Sequence, residues 1–131
     1  MASIPEEFHD LFEKRTFAHL LTLAPHSTPV WADYDEGADQ VPVNTARGRR
    51  KERNVRANSK VGVSMCDPDD PYRYVSVQGE VATLTEDGAV EHIDALVRRY
   101  TGLEEYPNHG EGSGPRVILE IRPNNVVTDE Q

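Results

Sequence analysis

Six segments with the length and composition of β-strands constrain the fold of this chain more than any other feature. They cover residues 17–23, 29–34, 40–45, 61–66, 72–84 and 116–121. Turn-forming residues, above all Pro, Gly, Asp and Ser, separate most of them. Short strands joined mainly by turns favour an antiparallel sheet that curls into a barrel, because a doubly wound parallel sheet needs long helices that alternate with the strands. The sequence therefore predicts a mainly β fold with flanking helices, built as a single domain over residues 1–131.

Three helices are predicted beside these strands. The first begins near Ser3 and runs to about Lys14, and the second covers the polar residues 49–58. The third, over residues 85–100, has acids in its first turn, arginines in its last turn and Gly102 just beyond its end. Gly79 inside the fifth strand predicts a bulge or bend, and Pro123 is predicted to end the sixth strand. Residues 103–115 are expected to form an irregular connection.

The balance of charge argues against one broad class of partner. The chain has 131 residues, of which 23 are acidic and 14 are Lys or Arg, and its net charge is −9. Such a surface repels a phosphate backbone, so we expect no nucleic-acid partner. The acid excess also points to a salt-loving host, although excess carboxylates serve solubility in other proteins as well.

The same sequence predicts a cytoplasmic protein without a membrane partner. No stretch approaches the ~20 apolar residues that a membrane-spanning helix requires. The N-terminal residues are acidic and polar, unlike a secretory signal peptide. Cys66 is the single cysteine, which rules out an internal disulfide.

Positive charge is concentrated in one segment of this acidic chain. Residues 47–60 read RGRRKERNVRANSK and hold seven of the fourteen cations but one acid. The segment has a net charge of +6, which leaves −15 for the rest of the chain. Arg49, Arg50 and Lys51 fall in the first turn of the predicted second helix, where cations oppose the positive end of the helix dipole. An anion bound at that end would reverse this cost.

The groups around that helix start favour phosphate as the anion. Unpaired backbone N–H groups at a helix start bind phosphate, and arginine adds paired donors that match phosphate oxygens. Asn44 and Thr45, at the end of the preceding strand, add an amide and a hydroxyl. Two alternatives remain open: a solvated helix whose cations pair with acids elsewhere, and a nucleic-acid site, which the acidic remainder of the chain opposes.

The other polar residues show no metal-binding or catalytic pattern. The five histidines (His9, His19, His26, His92 and His109) lack metal-ligand spacing, so no metal site is predicted. His19 is predicted to lie in the core and His92 on the exposed face of its helix. Cys66 is predicted to be an inert buried thiol. Trp31 is open to three interpretations: core residue, platform for a ring, or subunit contact.

Several motifs, in one order along the chain, resemble the pyridoxamine 5′-phosphate oxidase-like split-barrel superfamily. Within it, the chain is most similar to the branch of oxidoreductases that depend on the deazaflavin coenzyme F-420. The motifs are FAHL at 17–20, PVW at 29–31, VNTARGRRKERN at 43–54, DPDDPYRY at 67–74, VQGEV at 77–81, RVIL at 116–119 and IRP at 121–123. They cover nearly the whole chain. One departure is the short connection 24–28 before PVW, where family members usually have a longer hairpin.

The resemblance implies a fold, an assembly and a set of cofactor contacts. The fold would be a six-stranded antiparallel split β-barrel, the FMN-binding split barrel, in a homodimer with two cofactor sites at the subunit interface. The cofactor ring would lie against the 29–31 strand, and Tyr72, Arg73 and Tyr74 would approach from the other subunit. The implied cofactor-binding residues are Pro29, Val30, Trp31, Asn44, Thr45, Arg49, Arg50, Lys51, Asn54, Tyr72, Arg73 and Tyr74.

The activity implied is hydride transfer from F-420 to a small organic acceptor. No catalytic side chain is required, because the cofactor carries the chemistry while the protein binds and orients it. FMN is the alternative cofactor, and a non-catalytic flavin- or deazaflavin-binding protein is the alternative of another class. A pyridoxamine phosphate oxidase in the strict sense is disfavoured, because the C-terminal half offers few clustered cations for a substrate phosphate.

Overall fold

The computed structural model describes residues 2–107 and 114–128. The predicted connection 103–115, with His109, therefore lies partly outside the described residues. In chain order the elements are a 3₁₀-helix Glu6–Phe12, strands β1 (Ala18–Thr22), β2 (His26–Val30) and β3 (Val41–Ala46), helix α1 (Arg50–Ala57), strands β4 (Lys60–Cys66) and β5 (Tyr74–Thr85), helix α2 (Ala89–Thr101) and strand β6 (Arg116–Thr128). This order of helices and strands matches the one predicted.

The six strands form one antiparallel sheet that curls on itself. Its strand order is β2-β1-β4-β5-β6-β3, and every neighbouring pair is antiparallel. Just after β2, Ala32 forms an antiparallel bridge with Val43 of β3. The two ends of the sheet thus meet at this bridge, which is the closure of a barrel split along part of its length. The mainly β, split-barrel prediction is confirmed.

Buried and exposed residues alternate along the strands of the barrel, and the N-terminal 3₁₀-helix closes its core. In β1 and β4 every second residue is buried, as expected when one face of a sheet packs inward. Phe8, Leu11 and Phe12 of the 3₁₀-helix are almost fully buried in the same cluster as Leu20 and Leu119. In a 3₁₀-helix, positions three apart lie on one face, and Phe8 and Leu11 have that spacing.

Gly79 marks a bulge, as predicted. The register between β5 and β6 shifts between Gln78 and Gly79, and Gly79 pairs with Pro123. A Cβ atom at residue 79 would lie 2.5 Å from the carbonyl oxygen of Arg122, so a side chain has no room there. Pro123 does not end β6, contrary to prediction, because an irregular position in the ladder tolerates a residue without an N–H.

Other predicted boundaries were wrong for local reasons. The turn predicted at residues 25–28 lies at 23–25, and β2 begins at His26, which pairs with Thr22. The strand predicted over 29–34 therefore starts three residues earlier. Pro29 is tolerated because β2 is an edge strand of the sheet. Helix α2 begins four residues later than predicted, since Gly88 adopts a left-handed conformation with a φ of 74°.

Two predictions of burial were also wrong. His19 and Cys66 lie at exposed positions of β1 and β4, because the buried positions of those strands are their neighbours. Within residues 2–107 and 114–128, no helix is long and apolar enough to cross a membrane.

Candidate functional site

An open cleft lies where the start of α1, the end of β2 and the start of β6 meet helix α2. Its volume is about 200 Å³. One side is polar and cationic, and the other is apolar. The lining residues are Phe17, Pro29, Val30, Trp31, Asn44, Arg49, Lys51, Ile93, Leu96, Tyr106 and Arg116. Six of the twelve predicted cofactor-binding residues, from three separate segments of the chain, thus line one cleft.

Three cations converge on the polar side, and we call this part the basic cleft: Arg49, Lys51 and Arg116. Burial lowers the pKa of Lys51, and the neighbouring charges of Arg49 and Arg116 lower it further. Burial also lowers the pKa of Arg116, again with a contribution from Arg49. Like charges held together in a partly buried site destabilise one another until an anion joins them. The basic cleft therefore has the electrostatics of an anion site.

The other arginines of segment 47–60 are engaged differently. Glu52 is fully buried, and its carboxylate accepts hydrogen bonds from the Gly48 N–H at 2.7 Å and from Arg56 Nε at 2.5 Å. Arg47 pairs with the same carboxylate at 3.5 Å and with Glu86 at 3.1 Å. Arg53 donates to the Gly48 carbonyl. Arg47 thus pairs with an acid outside the segment, Glu86, whereas Arg56 pairs with the segment's own Glu52. Arg49 and Lys51 line the cleft.

Glu52 also explains how α1 is oriented. Burial opposes its charge, but the Gly48 N–H and Arg56 outweigh that effect and lower its pKa. A carboxylate in the first turn that bonds back to the chain before the helix resembles a capping box and offsets the cost of the nearby cations. The single acid of the basic segment therefore anchors the helix start that carries Arg49 and Lys51.

Asn44 connects the cleft to helix α2. Its Oδ1 accepts hydrogen bonds from Arg116 Nε at 2.9 Å and Nη2 at 2.6 Å. Its Nδ2 donates to the Ala89 carbonyl at 2.8 Å and lies 3.1 Å from Nδ1 of His92. The prediction that His92 faces solvent was wrong, because its imidazole turns inward between α2 and β3.

Three other predicted site residues lie around the cleft without lining it. Thr45 is fully buried, and its hydroxyl has no partner among the described residues. Asn54 donates to the Thr22 hydroxyl at 2.9 Å and so ties α1 to β1. Arg50 is exposed at the start of α1.

The apolar side of the cleft is built from aromatic and aliphatic groups. Trp31 stacks on Tyr100 of α2, with ring centroids 5.0 Å apart and planes 17° from parallel. Ile93 and Leu96 of α2 and Phe17 before β1 complete the wall, and Phe17 is 53% exposed. Trp31 therefore belongs both to a small cluster under α2 and to the cleft.

The predicted contacts from segment 72–74 lie elsewhere on this chain. Tyr72 and Tyr74 are exposed, and Tyr72 is 87% accessible. The Arg73 guanidinium donates to Asp10 at 2.7 Å and to Asp67 at 3.0 Å, and it also bonds the Glu7 carbonyl. The chain therefore does not bring these three residues to its own cleft.

Sequence reasoning missed Arg116, Tyr106 and the apolar contribution of α2. Arg116 lies opposite Ala46 in the β3–β6 ladder, so it shares a face with Asn44 two residues earlier. Its guanidinium also lies 5.0 Å from the ring centroid of Tyr106. Its only signal in the sequence is a cation at the start of an apolar strand, which does not reveal the neighbouring strand.

The described part of the chain contains no group of three or more His, Cys, Asp or Glu side chains arranged to hold a metal ion. Among the described residues, the cleft lining includes no carboxylate and no thiol. Its side chains are suited to binding an anion beside a flat apolar group, and they contain no nucleophile activated by a base.

Comparisons with known proteins bear on the family and the fold of this chain. The family model described as pyridoxamine 5′-phosphate oxidase matches residues 4–128. No curated protein matches the chain. Among solved structures, one named F420 reductase is 30% identical, with a TM-score of 0.80 over 95% of this chain and 98% of the other. A conserved hypothetical protein from Mycobacterium tuberculosis is 22% identical, with a TM-score of 0.72 over 98% and 85% of the two chains. A putative pyridoxamine 5′-phosphate oxidase from Listeria innocua is 19% identical, with a TM-score of 0.68 over 94% and 95%.

The family match spans the barrel, the basic segment and the start of β6, which together form the cleft. This match to the family model covers residues 4–128, so membership of the family rests on the sequence as well as on the fold. The chain belongs to the pyridoxamine 5′-phosphate oxidase family and has its FMN-binding split-barrel fold.

Proposed function

We propose that this protein is an oxidoreductase that binds the deazaflavin coenzyme F-420 and transfers hydride to a small organic acceptor. The observation that carries the proposal is the convergence of Arg49, Lys51 and Arg116 beside an apolar wall. The likeness to a structure named F420 reductase, at 30% identity over nearly the full length of both chains, supports the deazaflavin as the cofactor.

The residues present fit a phosphorylated tricyclic cofactor. Lys51 is partly buried among like charges, which lowers its pKa, and a phosphate would restore the balance of charge there. Arg49 and Arg116 provide guanidinium groups that match phosphate oxygens in pairs. The three cations would therefore hold the phosphate.

The ring would lie against the apolar wall. Pro29, Val30 and Trp31 form one side of the cleft, and the stack of Trp31 on Tyr100 restricts the indole. When bound, the reduced deazaflavin supplies a hydride equivalent, which the protein's own side chains do not. The protein binds and orients the ring, and its apolar wall excludes water from one face.

A homodimer is part of the same proposal, as is a cytoplasmic location. The outer face of β1, β4 and β5 is poor in charge on a strongly acidic protein, and its exposed Leu21 lies beside Gly62. Ser64 and Ser76 continue this flat surface. A second copy on it would cover Leu21 and bring partner groups such as Tyr72 and Tyr74 toward a cofactor. Light scattering at micromolar concentration should show a dimer, and Leu21→Asp should weaken it; a monomeric wild type would refute this part.

FMN is the second candidate cofactor. It offers the same two groups, a phosphate and a flat tricycle, and the matching family model is named for pyridoxamine 5′-phosphate oxidase. Nothing in the lining of the cleft discriminates between the two rings. The distinction must come from a direct measurement of binding.

That measurement is a fluorescence titration of the purified protein with oxidised F-420 and, separately, with FMN, in concentrated potassium chloride. We expect saturable, micromolar binding of F-420 and weaker binding of FMN. Stronger binding of FMN would move the protein to the flavin enzymes of the family. Binding of neither would refute the proposed function.

Lys51→Ala tests the site with a matched control. Loss of a charged hydrogen bond to phosphate should weaken binding by about 1–3 kcal/mol. Arg98→Ala removes an exposed arginine of α2 that does not line the cleft, and it should leave affinity unchanged. Lys51→Ala should also keep or raise the free energy of unfolding, because it removes one of three repelling charges. Normal affinity in Lys51→Ala would show that the phosphate lies elsewhere.

A further inference from the structure

A chain of polar groups runs from beneath helix α2 to the basic cleft, and Asn44 is at its centre. Asn44 Oδ1 accepts two hydrogen bonds from Arg116, at 2.9 and 2.6 Å. On its other side, Nδ2 donates to the Ala89 carbonyl at 2.8 Å and lies 3.1 Å from His92 Nδ1. One amide thus contacts a cation of the cleft, the first residue of α2 and a buried imidazole.

The partners of Asn44 fix which way its amide points. A guanidinium only donates hydrogen bonds and a backbone carbonyl only accepts them, so the amide oxygen must face Arg116 and the nitrogen must face Ala89. His92 Nδ1 then faces a donor and must accept. The imidazole is therefore neutral, with its proton on Nε2.

The surroundings of His92 agree with a neutral ring. Nε2 is buried and has no hydrogen-bond partner among the described residues. The charged groups that face the ring are Asp33 after β2, with Oδ2 3.8 Å from Nε2, Arg99 of α2 and Arg116 of β6. Burial lowers the pKa of His92, Asp33 opposes this, and both arginines add to the lowering.

We propose that Asn44 and His92 are positioning residues, which fix the Arg116 guanidinium at the phosphate position and make its hold on phosphate depend on the protonation of His92. The inference rests on the proposed function, in that the basic cleft binds the phosphate of the cofactor. A protonated His92 would direct an N–H at Asn44 Nδ2. The amide must then rotate and withdraw its oxygen from Arg116, or the imidazole must move away with α2; either change releases Arg116.

The first test separates the phosphate from the ring. FMN is compared with riboflavin, and F-420 with its phosphate-free deazaflavin riboside. Arg116→Ala should weaken binding of the phosphorylated form about 10- to 100-fold and leave the phosphate-free form unchanged. Asn44→Ala should show the same selectivity. The double variant Asn44→Ala/Arg116→Ala should bind no more weakly than Arg116→Ala alone, because the two substitutions remove the same interaction.

Matched controls come from the same strand and the same residue types. Arg122 pairs with Glu80 farther along β6, and Asn125 lies near Gln78 on the surface. Arg122→Ala and Asn125→Ala should leave the affinity for every ligand unchanged. Unfolding curves of all variants show whether each one is folded.

The second test is the pH profile of binding. Wild-type affinity for the phosphorylated ligand should be constant where His92 is neutral and should fall as the pH drops through its lowered pKa. His92→Phe keeps a ring at this position but cannot be protonated. The affinity of this variant for the phosphorylated ligand should therefore fall less steeply as the pH drops. Protonation of the ligand's own phosphate is common to both proteins and cancels in their ratio.

Each outcome is decisive. Parallel pH profiles for wild type and His92→Phe would overturn the role of His92. Equal losses for phosphorylated and phosphate-free ligands in Asn44→Ala would reduce Asn44 to a structural residue and overturn its role. If wild type binds the phosphorylated ligand and both Asn44→Ala and Arg116→Ala bind it normally, this inference alone fails. If wild type binds neither phosphorylated ligand, the proposed function fails with it.

Discussion

Two groups of charged residues in this protein contain the same cations, lysine and arginine, but behave oppositely in the structure. In the basic cleft, Arg49, Lys51 and Arg116 face one another, and burial lowers the pKa of Lys51 and of Arg116. In what we call the N-terminal ion-pair network, Lys14 and Arg73 are surrounded by Asp10 and Asp67.

The direction of the pKa shifts shows what each group of charges does. The hydrogen bond that Arg73 donates to Asp10 raises the pKa of Arg73, and the one that Lys14 donates to Asp67 raises that of Lys14. The carboxylates of Asp10 and Asp67 already neutralise these cations, so the ion pairs stabilise the fold and attract a further anion only weakly. Lys51 and Arg116 carry an electrostatic cost in the free protein, and a bound anion would reduce it. Unfavourable charge therefore distinguishes the proposed binding site from a group of charges that stabilises the fold.

The sharpest test of this comparison is Arg73→Ala. Arg73 joins the 3₁₀-helix to the loop after β4 through Asp10, Asp67 and the Glu7 carbonyl. Its loss should lower the free energy of unfolding by about 1–2 kcal/mol, the lower part of the range for charged hydrogen bonds, because Asp10 is partly exposed. Urea denaturation measures it. Arg98→Ala removes an exposed arginine of α2 and should change stability by less than about 0.5 kcal/mol.

Arg73→Ala also separates two roles for this residue. If Arg73 only holds the network together, the folded variant should bind F-420 or FMN as wild type does. A loss of affinity as large as that in Lys51→Ala would instead place Arg73 at the cofactor of the neighbouring subunit and break the contrast between the two groups.

Acid should weaken the N-terminal ion-pair network through Asp67. Lys14, with help from the Asp69 N–H and Arg73, lowers the pKa of Asp67 from 3.8 to about 2. A carboxyl with a lowered folded-state pKa stabilises the protein above its unfolded pKa and loses that contribution as the pH falls through the folded value. The urea concentration at the unfolding midpoint should therefore decrease as the pH is lowered from 3.8 to about 2. Asp67→Asn should make this decrease smaller. An equally steep fall in Asp67→Asn would show that other carboxyls dominate.

The smallest expected effect compares two lysines. The pKa of Lys51 is lowered by burial and that of Lys14 is raised by Asp67. An amine-acylating reagent at mildly alkaline pH should therefore modify Lys51 faster than Lys14, since only the neutral amine reacts. Peptide mass spectrometry measures both rates in one sample. The cofactor that binds, FMN or F-420, should slow the acylation of Lys51 and leave the acylation rate of Lys14 unchanged. Protection of both lysines from acylation would argue against separate roles for the two groups of charges.

Much of the fold was predictable, because strand length, turn residues and alternation are local properties. The order of elements and the bulge at Gly79 followed from such signals. The predictions were wrong where contacts with residues distant in the sequence determine the local structure. Pro123 continues β6 because it pairs with Gly79, and His92 turns inward because Asn44 and Ala89 lie there.

For the site, the sequence found the cations that are close together along the chain. It indicated Arg49 and Lys51 through the density of charge at a helix start, and the resemblance added the segment 29–31. It also grouped with them residues that the fold uses otherwise, such as Asn54, which ties α1 to β1. Whether Tyr72 and Tyr74 contact a cofactor depends on a second subunit and stays a prediction.

The sequence by itself determined that this acidic chain forms an antiparallel barrel and carries a cationic helix start, because both depend on residues close together along the chain. Only the tertiary structure decided which cations line the cleft. Pairing of β3 with β6 brings Arg116 to Asn44, and the buried Glu52 engages Arg47 and Arg56 while Arg49 and Lys51 line the cleft. Coulomb interactions depend on distance and burial rather than on sequence separation, so the balance between paired and repelling charges exists only once the barrel has closed.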